Sequence, residues 1–370
     1  MTLEELLSLC VEQDASDLHL VPGVAPYLRV HGDLAPVAGA EPLSGEEVAA
    51  LAEALVGDHG RSALAKTGIA DGALSSAGAR FRYNVARRQG ELSVALRRLE
   101  DSFQSLEQLG LPERLSELCE LESGLVMVAG PTGSGKSTTL ATLLDRINRE
   151  RGGHLITIED PIEYLHTPQR CLINQRQVGT DVPDFHTALV AALRQDPDVI
   201  LVGEVRELDT IRTAIVAAET GHLVFTTVHA SDCVSAVERL VAVFPADEQA
   251  GIRGQLALTL RAVVAQRLLP ADGPRGQAGE RRRVVVSEVL RVNSGVANLI
   301  AQGKPAQVYS LMETGAAAGN QTFDQDLARL LGEGLISEQA AKVLARSPQS
   351  LADQVKHGAK RRLVGRRGRP

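Results

Sequence analysis

The first hundred residues carry short apolar segments that predict a small domain of helices and strands. Helical spacing of apolar residues, together with a Ser-x-x-Glu capping pattern, predicts two helices over 3–10 and 46–56. The segments with strand-like patterns are, in chain order, 17–21, 26–30, 80–85 and 92–99. We therefore predict a small α/β domain over residues 1–100, followed by a linker over 101–112.

Beyond residue 124, continuous apolar segments alternate with amphipathic ones. The predicted strands are 124–130, 154–160, 199–204 and 222–230, and the predicted helices between them are 137–149, 185–194 and 208–218. This alternation is typical of a mostly parallel sheet that helices cover on both faces. After residue 234 the pattern is mainly helical, apart from a strand over 281–290 and an exposed loop over 271–283. The fold class is therefore α/β, with a second domain over 113–350.

Composition narrows the possible functions. The 370 residues include 39 Lys and Arg against 46 Asp and Glu, which gives a net charge of −7. There are only four Tyr, six Phe and no Trp, so a surface that stacks nucleic-acid bases on aromatic rings is not expected. Residues 356–370 hold seven basic residues and no acid. We expect a basic, disordered tail over 351–370 and no nucleic-acid partner.

The chain shows no sign of membrane insertion or secretion. No apolar run approaches the ~20 residues that span a bilayer, and the acidic N-terminus is unlike a secretory signal. The four cysteines are far apart and form no CxxC pair, which favours reduced thiols over a disulfide framework or a zinc site. We expect a cytoplasmic protein. The basic tail could touch anionic lipid at the membrane surface, or could simply be solvated.

Residues 130–137, GPTGSGKS, match the phosphate-binding loop pattern G-x-x-x-x-G-K-[ST]. The loop follows a predicted strand and opens a predicted helix, as the motif requires. Lys136 is expected to reach the β- and γ-phosphates of ATP, and the Ser137 hydroxyl is expected to bind Mg²⁺. The residues expected to bind the nucleotide are Gly130, Pro131, Thr132, Gly133, Ser134, Gly135, Lys136, Ser137 and Thr138.

A nucleotide hydrolase also needs carboxylates that hold the metal and orient water. Glu159, Asp160 and Glu163 follow one strand of the predicted parallel sheet, and Glu204 ends another, so all should lie at the edge that holds the phosphate loop. Gly203 stands where many hydrolases carry an Asp. Metal binding and water activation therefore divide between Glu204 and the acids at 159–163, in an order that the pattern leaves open. Solvated loop acids are the alternative.

Histidines and arginines could complete the site. His222 and His229 bracket one strand at an odd spacing, so a shared metal site is not expected, and His229 is the better sensor of the γ-phosphate. Either histidine could instead have a structural role. The first hundred residues are rich in arginine, which could supply an arginine finger across a subunit interface. A solvated strand face is the alternative.

Four motifs in this order, GPTGSGKSTTL, TIEDPIEY, DPDVILVGEVRELDTI and AAETGHLVFTTVHA, resemble the secretion-type hexameric ATPases. The opening ASDLHLVPGVAPYLRVHGDL resembles the type IV pilus retraction branch, which is PilT-like with PilU as a close relative. The resemblance implies a PAS-like N-terminal domain, a RecA-like ATPase domain and a homohexameric ring. It also implies ATP and Mg²⁺ as ligands, and an inner-membrane platform protein of the pilus machine as a partner.

The resemblance also implies roles for individual residues. Lys136 and Ser137 belong to the Walker A loop, and Glu204 is the Walker B acid and, with Ser137, the expected metal ligand. The other matching positions are Glu159, Asp160 and Glu163 in the aspartate box, His222 and His229 in the histidine box, and the N-terminal-domain arginines Arg82 and Arg97.

One segment departs from the family pattern. Retraction motors typically show two arginines where this chain has Ala297 and Ala301. ATP hydrolysis remains the prediction, and an accessory PilU-like ring that docks on a paralogous retraction ATPase is an alternative to the principal motor. A secretion or DNA-uptake ATPase of the same superfamily is a further alternative.

Overall fold

Two separate β-sheets organise the chain. The computed structural model describes residues 1–99, 102–272, 283–349 and 351–355. An antiparallel sheet lies in the first hundred residues, and a mostly parallel sheet with helices follows it. The predicted α/β fold class, with a small N-terminal sheet domain and a larger parallel-sheet domain, is confirmed.

The N-terminal sheet contains six antiparallel strands in the order β3-β2-β1-β6-β5-β4. Its strands are β1 (Ala15–Leu20), β2 (Tyr27–Val30), β3 (Asp33–Pro36), β4 (Ile69–Ser76), β5 (Ala79–Arg88) and β6 (Glu91–Leu99). Its helices are α1 (Leu3–Glu12), α2 (Gly45–Leu55) and α3 (Asp58–Thr67). The sequence did not predict β3, α3 and β4. Of the two strands, β3 is exposed along its whole length, and β4 contains a glycine that weakens the strand pattern.

The alternation along β5 explains how this sheet packs. Phe81, Tyr83 and Val85 are buried in one core with the helices, whereas Arg80 and Arg82 lie on the opposite face. The predicted capping box before α2 is present, since the Ser44 side chain accepts from the Glu47 backbone and the Glu47 carboxylate accepts from the Ser44 backbone.

The second sheet contains seven strands in the order β13-β12-β7-β11-β10-β8-β9, and only β13 runs antiparallel to its neighbour. Its strands are β7 (Gly124–Ala129), β8 (Gly153–Glu159), β9 (Cys171–Gln177), β10 (Val199–Val202), β11 (Leu223–Val228), β12 (Leu260–Pro270) and β13 (Arg283–Arg291). Its helices are α4 (Lys136–Glu150), α5 (Phe185–Ala192), α6 (Leu208–Glu219), α7 (Cys233–Ala242), α8 (Gln249–Thr259), α9 (Ser294–Ala301), α10 (Pro305–Thr314), α11 (Phe323–Gly332) and α12 (Glu338–Leu344). Short 3₁₀ helices occupy Glu113–Glu120 and Ala316–Ala318.

The central strands are apolar at every position because both faces of this sheet are covered. All residues of β7 are buried, with Leu125 and Met127 in one core and Val126 and Val128 in the other. Helix α4 and the 3₁₀ helix at Glu113–Glu120 pack on the second core. Within the segment predicted as a linker, Leu106 and Leu111 are also buried in that core.

The prediction for the region after residue 234 is wrong in one place. Residues 260–270 form the long strand β12, whereas the pattern favoured helix. β12 lies between β7 and β13, so its apolar residues are covered from both faces and lack the alternation of a half-exposed strand.

The two segments predicted to be irregular lie mostly outside the described residues. The predicted loop over 271–283 is described only at its ends, and of the predicted tail over 351–370 the structure describes 351–355. Those five residues are helical and Leu351 is buried in the core, so the folded part extends past the predicted limit. In the described residues no helix is both long and apolar enough to cross a bilayer.

Glu288 on β13 is a buried carboxyl group that should make stability depend on pH. It is 2% exposed and accepts a hydrogen bond from the Cys233 backbone at 2.8 Å, and burial raises its pKa from 4.5 to about 7. The folded chain therefore keeps a proton that the unfolded chain releases between these values. The contribution of Glu288 to the free energy of unfolding is fully present below about pH 4.5. It decreases by about 3 kcal/mol as pH rises to about 7.

The variant Glu288→Gln cannot lose this proton, so its stability should decrease less over the same pH range. Thermal unfolding midpoints measured at several pH values between about 4.5 and 8 would show this as a difference that grows with pH. Replacing the exposed Glu120 with Gln is the control and should leave the pH profile unchanged. A difference that stays constant across the range would contradict the prediction.

Candidate functional site

The predicted phosphate loop lies between β7 and α4, and glycines make its shape possible. Gly130, Gly133 and Gly135 have φ values of 154°, 73° and 90°, in the region that disfavours other residues. A Cβ at Gly130 would lie 2.4 Å from Ser134 Oγ and 2.5 Å from the Gln266 carbonyl. The loop therefore turns tightly against β12 before α4 begins at Lys136, one residue earlier than predicted.

Lys136 lies where the loop closes. Its Nζ donates to the carbonyls of Gly130 and Pro131 at 3.1 and 3.0 Å. Burial lowers the pKa of Lys136, and the negative charges of Glu204 and Glu163 oppose that shift. The ammonium group is thus within electrostatic range of carboxylates from two different strand ends.

Gln266, on β12, supports the loop through side-chain hydrogen bonds, and the sequence pattern did not predict this role. Its Nε2 donates to the Ser134 carbonyl at 2.8 Å, and its Oε1 accepts from Thr139 Oγ1 at 2.9 Å. The side chain is 1% exposed. No local signal could have found it, because β12 itself was predicted as helix.

Glu204 follows β10 at the carboxyl edge of the sheet, and an arginine and a histidine hold its side chain. Arg206 Nε lies 2.6 Å and His229 Nε2 lies 3.2 Å from Glu204 Oε1. Burial and the Lys136 charge lower the pKa of His229, and the Glu204 charge opposes them. Arg206 was also missed, although its position two residues after a strand-end acid was a usable signal.

Close packing explains why a glycine occupies position 203, just before Glu204. A Cβ there would lie 3.2 Å from the Ile158 carbonyl and 3.4 Å from Glu159 Cα. The end of β10 therefore approaches β8 closely, and Thr227 Oγ1 donates to the Gly203 carbonyl at 2.6 Å from the other side. This crowding explains why the chain has Gly where many hydrolases carry Asp.

The acids at 159–163 differ in their surroundings. Glu159 accepts from Thr157 Oγ1 at 2.7 Å and from Gln175 Nε2 at 3.3 Å, and burial raises its pKa. Burial also raises the pKa of Asp160, while the charges of Arg82 and Arg206 oppose the shift. Glu159 thus has internal hydrogen-bond partners, whereas Asp160 faces cations.

A cavity of about 650 Å³ brings most of the predicted residues together. The predicted residues that line it are Thr132, Gly133, Lys136, Ser137, Glu159, Asp160, Glu163, Glu204, His229 and Arg82. The remaining residues of the predicted loop are sequence neighbours of these lining residues. Thr138 Oγ1 lies 2.9 Å from the Tyr164 hydroxyl. The cavity thus joins a phosphate loop, strand-end carboxylates and an arginine from the N-terminal domain.

His222 and Arg97 do not line this cavity. His222 precedes β11, at the edge of the sheet opposite His229, and its Nδ1 lies 2.9 Å from the Ala217 carbonyl. A contact between His222 and the cavity of its own chain is therefore not supported, and its functional role stays a prediction. Arg97 Nε donates to Asp17 Oδ1 at 2.9 Å within the N-terminal sheet.

The N-terminal domain contacts the acidic loop directly. Arg80 Nε donates to the Ile162 carbonyl at 2.9 Å, and burial lowers the Arg80 pKa while the Glu159 charge opposes that shift. Arg82, two residues along the same strand face, lines the cavity. The two domains therefore meet at the site.

The cavity offers oxygen ligands of the kind that Mg²⁺ prefers. The Ser137 hydroxyl and the Glu204 carboxylate both line it. Among the described residues no group of three or more His, Cys, Asp or Glu side chains could hold a metal by itself. Mg²⁺ usually binds in nucleotide sites through one or two side chains together with nucleotide phosphates.

Gly130→Ala tests the loop geometry. The added methyl group would collide with Ser134 and β12 at an unfavourable φ, so we expect nucleotide affinity to decrease about tenfold. Binding of a fluorescent ADP analogue would measure this. Gly251→Ala in α8 is the control, since nothing lies within 4 Å of its Cβ position and a helix tolerates alanine. Unchanged affinity in Gly130→Ala would contradict the stated geometry.

Comparisons with known proteins agree with the motifs. Residues 72–343 match the family described as "Type II/IV secretion system protein". The type IV pilus retraction ATPase PilT of Pseudomonas aeruginosa is 41% identical over 95% of this chain and 100% of its own length. The type IV pilus ATPase PilU of the same organism is 39% identical over 97% of this chain and 92% of its own length.

A solved structure extends the similarity to the fold. The crystal structure of the pilus retraction motor PilT with bound ADP has a TM-score of 0.87 at 39% identity, and the match covers 95% of this chain and 99% of that chain. The resemblance found in the sequence is thereby confirmed.

Proposed function

The chain belongs to the type II/IV secretion system protein family, and on that premise we propose that it is an ATP-hydrolysing motor that powers retraction of a type IV pilus. The observation that carries this proposal is the cavity in which Lys136, Glu204 and Arg82 meet. A phosphate loop, a strand-end acid and an arginine from a second domain are the parts that a domain-closing ATPase needs.

The reaction converts ATP and water into ADP and phosphate. The loop amides and Lys136 bind the β- and γ-phosphates, and Ser137 and Glu204 would hold Mg²⁺. Mg²⁺, when bound, offsets the negative charge that develops on the phosphate oxygens. Glu204 or an acid at 159–163 orients the attacking water, and His229 contacts the γ-phosphate while remaining hydrogen-bonded to Glu204.

The two domains would move relative to each other during hydrolysis, because residues of both domains lie at the cavity. Arg82 and Arg80 approach the site from the N-terminal domain, so loss of the γ-phosphate weakens one link between the domains. The chain would act as a homohexameric ring at the cytoplasmic face of the inner membrane. Its partner there would be the platform protein of the pilus machine.

An accessory ring that docks on a paralogous retraction motor is the second candidate. Ala297 and Ala301 on α9 stand where retraction motors typically show arginines, and Ala301 is exposed. A surface without these charges favours an accessory role and leaves the ATPase site unchanged.

Two experiments test the proposal. The purified protein should release phosphate from ATP only when Mg²⁺ is present, and absence of this activity would refute the enzyme assignment. Deleting the gene in its host should abolish twitching, and the intact gene should restore it. A deletion strain that still twitches fully, despite an active ATPase, would favour the accessory role.

A further inference from the structure

A row of charged side chains crosses four strands of the N-terminal sheet. Asp17 on β1 is paired with Arg29 on β2 and with Arg97 on β6, and Arg97 is paired in turn with Arg82 on β5. Directly paired residues of antiparallel strands place their side chains on the same face. The four residues therefore follow one another in the order Arg29, Asp17, Arg97, Arg82, and the last of them lines the nucleotide cavity.

Asp17 is the buried member of this row. It is 7% exposed, and its Oδ1 accepts from Arg97 Nε at 2.9 Å. Its Oδ2 accepts from Ser16 Oγ at 2.7 Å and lies 3.8 Å from Arg29 Nε. The strand register shifts just before Asp17, and such bulges re-aim the side chains that follow them. Both carboxylate oxygens are therefore engaged, which makes Asp17 a fixed support.

Arg97 has hydrogen-bond donors that its contact with Asp17 does not use. Its side chain is 68% exposed although the Nε is bound, and its two terminal nitrogens make no hydrogen bond to the described residues. Arg82 is also exposed and makes no hydrogen bond within the part of the chain that the structure describes. Two adjacent guanidinium groups with unused donors form a surface that suits a phosphate group.

We propose that Asp17 is a positioning residue: it fixes Arg97, which lies just outside the cavity lining, beside the lining residue Arg82, so that both guanidinium groups receive the terminal phosphate of a nucleoside triphosphate at the edge of the cavity. This inference rests on the proposed function, because it needs ATP in the cavity. Without Asp17, Arg97 and Arg82 would repel each other across β5 and β6, and the long Arg97 side chain would sample several rotamers. Asp17 offsets that repulsion and restricts Arg97 to one geometry.

Asp17→Asn is the primary test, since it keeps the shape and removes the charge. We expect a decrease of about tenfold in kcat, by analogy with the loss found when the hydrogen-bond partner that orients a metal-binding side chain is removed. Affinity for a non-hydrolysable ATP analogue should fall several-fold, while affinity for ADP, which lacks the terminal phosphate, should not change. An equal loss of affinity for both nucleotides would overturn the proposal.

Asp14→Asn is the matched control. Asp14 forms an ion pair with Arg98, the neighbour of Arg97 on β6, and Arg98 lies on the other face of that strand. The control removes an Asp–Arg pair that joins the turn just before β1 to β6, and it should leave kcat and both affinities unchanged. Effects as large as those of Asp17→Asn would mean that the pairs act only through the stability of the sheet.

A double-mutant cycle separates positioning from folding. If Asp17 acts through Arg97, then Asp17→Asn should cost nothing further in an Arg97→Ala background. Equal losses in both backgrounds would overturn the proposal. If Asp17→Asn fails to fold, Arg97→Lys replaces it, because lysine keeps the charge but lacks the Nε donor, and the same selective loss for the ATP analogue is expected.

Different experimental results would refute the proposed function and this inference. Absence of Mg²⁺-dependent hydrolysis in the wild-type protein refutes the former. The selective effect of Asp17→Asn on the ATP analogue over ADP is a binding measurement, and its absence refutes the latter even in an active enzyme.

Discussion

Lys136→Ala should reduce ATP turnover by about a hundredfold or more, because charge stabilisation of this kind commonly contributes that much to phosphoryl or acyl transfer. Lys136 Nζ is the cation held at the mouth of the loop by the Gly130 and Pro131 carbonyls. Alanine removes it without a substitute, since the other lining cations, Arg82 and Arg206, approach from different elements. Phosphate release and binding of a fluorescent ATP analogue should both decrease.

The control for this prediction is Lys66→Ala in α3. Lys66 is exposed and lies in the N-terminal domain, on a helix that contributes nothing to the cavity. Its removal should change neither measurement. Turnover within about threefold of wild type in Lys136→Ala would show that the loop does not bind the reacting phosphates.

Glu204→Gln should decrease turnover by about a hundredfold to a thousandfold while nucleotide binding persists. The amide keeps the size of the side chain but removes the negative charge, so it can neither hold Mg²⁺ firmly nor accept a proton from water. Its pairs with Arg206 and His229 weaken at the same time. Single-turnover phosphate release, compared with equilibrium ADP binding, separates the two effects.

Glu219→Gln is the matched control for that experiment. Glu219 is exposed at the end of α6 and accepts a hydrogen bond from Gln255. The substitution should leave turnover unchanged. Glu204→Gln would disprove its assigned role if it hydrolysed ATP at the wild-type rate, and an equal loss of ADP binding would point to a damaged cavity instead.

The parts of the site that sequence predicted are those built from neighbouring residues. The phosphate loop needs only a strand, three glycines and a helix start within fifteen or so residues, and each is a local preference. Glu204 could be placed at the edge of the sheet that holds the loop, because parallel strands end at a common edge. The capping box before α2 is local in the same way.

The error over residues 260–270 has a physical cause. The helix predicted over β12 reflects an apolar run that a doubly covered strand and a buried helix share. His222 and His229 share one motif, and a strand of six residues carries them to opposite edges of the sheet, so the role of His222 stays a prediction.

By itself the sequence determined the chemistry: a loop that binds phosphate, a strand-end acid, and an excess of arginines in the first hundred residues. The tertiary structure alone decided which of these groups meet. Gln266 supports a loop 132 residues away, and Asp17 holds an arginine 80 residues away. Such contacts depend on strand order and register, which arise when distant segments pack into one sheet, and no local pattern of apolar and polar residues specifies them.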